Sequence, residues 1–203
     1  MKNFKGDILE LAPLYAANAV VVPLTGYVKK SGLALMGGIS KSISDRFKPE
    51  ADLGEALNTS NGGVCIFGNP GGIKLVAFPD RPKGRKKGES LFPYQLIDKV
   101  NHKDFIEQSP SAPNTEAPPW QQTWRPVASE GETPVARYDV PRWVMKPTMS
   151  QLSDSLHQLV ALTNTEGWER VLILRPSHPL PMQEVVVKME EILNNRFGLV
   201  TLR

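Results

Sequence analysis

Two hydrophobic patterns take turns along the chain. Continuous apolar runs rich in β-branched residues recur at "AVVVPL" (19–24), "GVCIFG" (63–68), "GIKLVAFP" (72–79), "RVLIL" (170–174) and "LVTLR" (199–203). Runs of that length and composition predict strands, and the unbroken ones predict strands covered on both faces. "NFKGDILEL" (3–11) is a shorter, alternating run near the start. Helical spacing replaces these runs elsewhere. Leu35, Ile39, Ile43 and Phe47 share one face of a helix expected over about 32–48. "PEADLGEALN" (49–58) predicts a second, short helix, closed by the turn signal "NTSNGG". Leu152, Leu156, Leu159 and Val160 mark a helix that Thr148 or Ser150 can cap. Val185, Met189, Ile192 and Leu193 mark another, with Gly198 read as its stop. "NPGG" (69–72) between two apolar runs predicts a hairpin.

Strands alternating with helices predict an α/β sandwich with a mostly parallel sheet. The regularity lapses between about 84 and 144, where "SPSAPNTEAPPWQQTWRPVASEGETP" is rich in proline, serine and acids. A stretch this long without periodicity is expected to be an insertion in one domain spanning 1–203. Its tryptophans, Trp120, Trp124 and Trp143, are expected to meet a protein partner or cover a cleft, or else merely to sit in the nearest apolar groove.

Composition narrows the function classes. Twenty-four basic and 21 acidic residues among 203 leave a formal charge of +3, too balanced to announce a nucleic-acid binder. The basic run "RPKGRKK" (81–87) reads as a solvated loop. Cys65 is the single cysteine and lies in an apolar run, so no disulfide framework exists and a packing role is expected. His102, His157 and His178 are too scattered for a metal site, and no metal is expected. The N-terminus has acids where a signal peptide needs an apolar core, and "NAVVVPL" is too short to span a membrane, so a cytoplasmic location is expected. Walker A, G-x-S-x-G and H-E-x-x-H sequences are absent.

Three places can carry chemistry. Gly37-Gly38 stands where the chain turns into a helix. The pair either lubricates a packing corner or clears side chains so that a phosphate can reach backbone N–H groups. Asp7, at the end of the first run, can accept from an exocyclic amine or cap a turn. "RPSHPLP" (175–181) follows a buried strand, at the edge where open α/β sheets place ligands; an ordinary proline-stiffened connection is the alternative.

Taken in order, these segments resemble a macro domain, the ADP-ribose-binding fold. "GDILELAPLYAANAVVVPLTG" resembles its opening, and "ALMGGISKSISDRF" its M-G-x-G-I-A loop and helix. "GGVCIFGNPGGIKLVAFPDRPK", "KPTMSQLSDSLHQLV" and "WERVLILRPSHPLPMQEVVVKMEEIL" are similar to the hairpin, helix start and second-loop region. They are most similar in the branch of terminal ADP-ribose glycohydrolases and DNA ADP-ribosyl glycohydrolase antitoxins. The resemblance covers about 1–83 and 145–203.

The resemblance implies a three-layer α/β/α sandwich with a mixed, mostly parallel sheet. It implies ADP-ribose or a related adenine nucleotide as the ligand, no separate cofactor, and a phage or bacterial setting. Asp7 would receive the adenine amine and Ile8 pack on the base. Gly37, Gly38 and Ile39 would form the diphosphate loop, and Ser177 and His178 the second loop. Lys83 (or Arg81) would be the catalytic basic residue of a hydrolytic member. The chain departs from the family in that "PSHPLPMQE" has no glycine and its nearest acid is Glu184. Nucleotide binding with slow hydrolysis at most is therefore the expectation. An active ADP-ribosyl glycohydrolase and an interaction module without a ligand site are the alternatives.

Overall fold

The computed structural model describes residues 1–29, 31–37, 40–81, 147–176 and 180–202. The chain divides into two units, Met1–Asp80 with Pro147–Arg203, and Arg81–Lys146. The expected insertion at 84–144 lies outside the described residues, and every described strand and helix belongs to the first unit.

The apolar runs form a six-stranded sheet: β1 (Lys2–Lys5), β2 (Ala19–Leu24), β3 (Cys65–Gly68), β4 (Lys74–Pro79), β5 (Val171–Leu174) and β6 (Phe197–Thr201). Their order is β1-β6-β5-β2-β4-β3. All neighbours run parallel except β3 and β4, which form the hairpin expected from "NPGG", closed by a 3-10 turn at Pro70–Gly72. Five helices accompany the sheet among the described residues: α1 (Ile8–Leu14), α2 (Lys41–Phe47), α3 (Glu50–Thr59), α4 (Met149–Thr165) and α5 (Met182–Ile192).

Side-chain alternation along each strand splits the core in two. Val20, Val22 and Leu24 of β2 pack with Ile8, Ala12, Ile43, Leu53 and Leu57 from α1, α2 and α3. Ala19 and Val21 of the same strand pack with Leu152, Leu156, Leu159, Val185 and Met189 from α4 and α5. The result is the expected α/β/α sandwich with a mixed, mostly parallel sheet.

Three local expectations are corrected. The helix expected over 32–48 starts only at Lys41. Before it, Leu35 N–H donates to Tyr27 O (2.9 Å), Lys29 N–H to Leu33 O (2.9 Å) and Ala34 N–H to Glu50 O (2.8 Å). Those donors serve a small hairpin and its attachment to α3, so none is left for a helical ladder. The alternating run at 3–11 holds only the end of β1 and then the start of α1. That helix is seven residues long and contains Pro13, which masks the helical signal. Gly198 does not stop α5, which ends at Ile192, but lies inside β6. A Cβ there would stand 2.6 Å from the ring of Phe4 and 2.8 Å from Leu172, so glycine is what lets β1 and β5 side chains meet across β6.

Candidate functional site

The strand order dictates where a ligand can sit. From β2 the chain leaves toward α2 and α3 on one face and on to β3 and β4. From its parallel neighbour β5 it leaves toward α5 on the other face and on to β6. Loops that part in this way open a crevice at the carboxyl ends of the strands. The residues that follow β1, β2, β4 and β5 are Gly6-Asp7, Thr25-Gly26, Asp80 and Arg175.

Asp7 fills one of the two roles its type allows at a strand end, that of a cap. It is the N-cap of α1: its Oδ1 accepts from Leu9 N–H at 2.8 Å, satisfying one of the helix's orphan donors. The residue is exposed, and it lines a cleft of about 570 Å³ with Lys5, Gly6, Glu10, Leu14 and Ser42. Capping occupies one carboxylate oxygen and leaves the acceptor capacity of the second unused by the cap. Leu14 is 83% exposed and Leu202, also at the cleft, 39%, so the carboxylate stands among solvent-facing apolar surface. Ile8, expected beside the base, is wholly buried in the core. Neither its side chain nor its backbone is open to a ligand in this structure.

The first-loop glycine is held by a serine that no sequence pattern singles out. Ser40 Oγ donates to Gly37 O at 2.9 Å and lies 3.1 Å from Gly37 N, whose N–H it accepts. Ser40 N–H also donates to Gly37 O (3.2 Å), closing the loop with Ser40 itself 1% exposed. Gly37's own donor is thereby committed. Nothing described lies within 4 Å of where its Cβ would be, so packing does not explain the glycine. Gly38, Ile39, Ser177, His178 and the candidate catalytic Lys83 lie outside the described residues.

The hairpin before this loop is seated on α3 by another glycine. A Cβ on Gly54 would fall 1.9 Å from Gly32 O and 3.3 Å from Ala34 N. The backbone approach is possible only because Gly54 has no side chain. Burial pushes the Tyr27 phenol in this hairpin above its ordinary range.

Two further charged groups stand at the carboxyl edge, Asp80 and the first residue of the "RPSHPLP" loop, Arg175. Asp80 is 8% exposed, and its N–H donates to Leu24 O at 3.0 Å, so a buried carboxylate ends β4 beside the end of β2. Arg175 follows β5 directly. Polar residues immediately after apolar runs were the available signal for both. His157, by contrast, is exposed on α4 with Nδ1 2.8 Å from Ser153 O. Among the described residues, no group of three or more His, Cys, Asp or Glu could hold a metal ion. No described helix is long and apolar enough to cross a membrane.

The sheet order and the two helical layers are those of the macrodomain fold. Among solved structures the chain is similar to the macrodomain of DarG from Thermus aquaticus, with a TM-score of 0.54 and 12% identity, covering 100% of this chain and 97% of that one. No family model matches the chain, and no curated protein does.

Proposed function

We propose that the protein binds ADP-ribose or a related adenine nucleotide along the carboxyl edge of its sheet. The observation that carries this reading is the cleft at Asp7. There one oxygen of an exposed carboxylate is spent on the α1 cap, and the other is left for a ligand in a cleft that Leu14 and Leu202 line together with Lys5, Glu10 and Ser42. A single free acceptor suits the exocyclic amine of adenine. Guanine, which offers two adjacent donors, would ask for both oxygens. The fold supports placing the remainder of the ligand toward the β2–β5 crevice, past the loop that Ser40 closes. Gly38 and Ile39 there, and Ser177 and His178 in the second loop, are the proposed phosphate and distal-ribose contacts.

The test is thermal unfolding with ADP-ribose, AMP, adenosine and guanosine in turn. A ligand that binds only the native state raises the melting temperature, by an amount that grows with the logarithm of its concentration above its Kd. The reading expects a rise with all three adenine compounds and none with guanosine. Equal rises with adenosine and guanosine, or none at millimolar ADP-ribose, contradict it.

A hydrolase reading has one observation in its favour, the buried carboxylate of Asp80 at the crevice. Removal of ADP-ribose needs a group to take the proton of a water attacking the anomeric carbon. Asp80 would fill that role. Release of ADP-ribose from modified protein or DNA that Asp80→Asn abolishes, with the unfolding midpoint preserved, supports this second reading. Absence of release returns the function to binding.

A further inference from the structure

β5 is apolar along its whole length, and the residue that follows it is a cation. Arg175 N–H donates to Val200 O at 2.8 Å, so its backbone is still fixed in the ladder with β6. Leu172 and Leu174 face the α1–α3 layer, and Val171 and Ile173 face α4 and α5. Alternation therefore turns the Arg175 side chain toward α5. Its Nε donates to Met182 Sδ at 2.9 Å, on the first turn of that helix.

That partner leaves the guanidinium poorly satisfied. A thioether is a weak, uncharged acceptor, and the guanidinium has five donors in a planar fork. The residue is half-buried. Among the described residues no carboxylate pairs with it: the ion pairs Lys41–Asp45 and Lys188–Glu191 lie elsewhere, and Glu184, one turn into α5, is exposed and belongs to neither. The positive end of the α5 peptide dipoles adds to the charge rather than offsetting it. A partly desolvated cation with no counter-charge is costly. This one stands at the end of β5, beside β2, where the two loops part.

We propose that Arg175 is an anion clamp, taking two oxygens of a ligand phosphate in a bidentate grip and setting a preference for phosphorylated over neutral nucleosides. As a nucleotide contact it rests on the reading above. As an anion site it stands on the Arg175 geometry alone, and the experiment separates the two.

Isothermal titration compares wild type, Arg175→Ala and Arg175→Gln with pyrophosphate, ADP-ribose and adenosine. Unliganded melting temperatures establish that each variant folds, and the glutamine keeps the polar stem should the alanine fail to. The clamp predicts that both variants lose pyrophosphate and ADP-ribose affinity by about tenfold or more, the scale of one lost hydrogen-bonded charge, and that adenosine is unchanged. Arg175-dependent pyrophosphate binding without any binding of ADP-ribose or adenosine supports the clamp and removes the nucleotide reading. Equal affinity of wild type and variants for both anions, or binding of neither anion by wild type, overturns the clamp.

Discussion

The hydroxyl of Ser155 donates to the carbonyl oxygen of Pro79 at 2.6 Å, across 76 positions of sequence. The bond joins α4 to the last residue of β4, one on each side of the long aperiodic stretch. Ser155 also accepts from Gln151 Nε2 at 3.1 Å and is 1% exposed, so the carbonyl has no water to fall back on. Ser155→Ala should cost about 1–3 kcal/mol, the range for leaving a buried polar group unpaired. A urea midpoint equal to wild type would contradict this.

Because the sheet and both helical layers come from 1–80 and 147–203, the intervening stretch should be dispensable for folding. Loop-closure cost grows only logarithmically with length. Replacement of 88–142 by a short glycine-serine link should leave one cooperative urea transition and unchanged helix and strand signals in circular dichroism. A non-cooperative melt would mean that the two units fold only together. If ADP-ribose affinity also survives the replacement, the expected role of the stretch as a cleft cover fails and the partner role remains.

Gly54→Ala pits two effects against each other. Alanine is better than glycine inside a helix by about 1 kcal/mol. The new methyl, however, would meet the Gly32 carbonyl at 1.9 Å, and a backbone oxygen cannot rotate away. Overpacking of this kind costs about 1–3 kcal/mol, so a net loss of stability is expected. It should be accompanied by weaker ADP-ribose binding, because the 27–35 hairpin leads into the loop at Gly37. Urea unfolding at constant slope reads the first effect and calorimetry the second. A stabilised variant would show that the loop does not depend on this contact.

Alkaline pH should destabilise the fold. Burial raises the Cys65 thiol above its ordinary value of 9.0 and the Tyr27 phenol above 10.0. The folded protein then holds protons that the unfolded chain has released. Stability is fully present below pH 9, starts to fall as the unfolded chain's thiol and then its phenol ionise, and is lost as pH rises toward the folded values. Urea midpoints from pH 7 to 10 should decline, and Cys65→Ala should flatten the earlier part. A midpoint that rises over this range would contradict the sign.

The central strands and the two long helices could be read from the sequence because one signal dominated each. β2 and β5 are unbroken apolar runs covered on both faces, and α4 carries Leu152, Leu156 and Leu159 at helical spacing. The misreadings occur where tertiary bonds outrank local pattern. Leu35 lies on the same helical stripe as Ile43, yet its N–H is taken by Tyr27 and the helix starts later. Gly198 resembles a helix stop in sequence, but Phe4 and Leu172 on the neighbouring strands explain it. The candidate site divides in the same way. Asp7 announces itself beside a glycine at the end of an apolar run, whereas Ser40, Gly54 and Arg175 matter through partners that no spacing rule connects to them.

The central claim is that Asp7 serves a ligand as well as a helix, and serine at that position separates the two roles. Serine caps a helix about as well as aspartate, so Asp7→Ser should keep folding stability within about 0.5 kcal/mol. It removes the carboxylate at the cleft, and calorimetric titration with ADP-ribose should register a loss of about 1–3 kcal/mol in binding free energy. Wild-type protein that takes up no ADP-ribose, or an Asp7→Ser variant that binds it as tightly as wild type, would contradict the account.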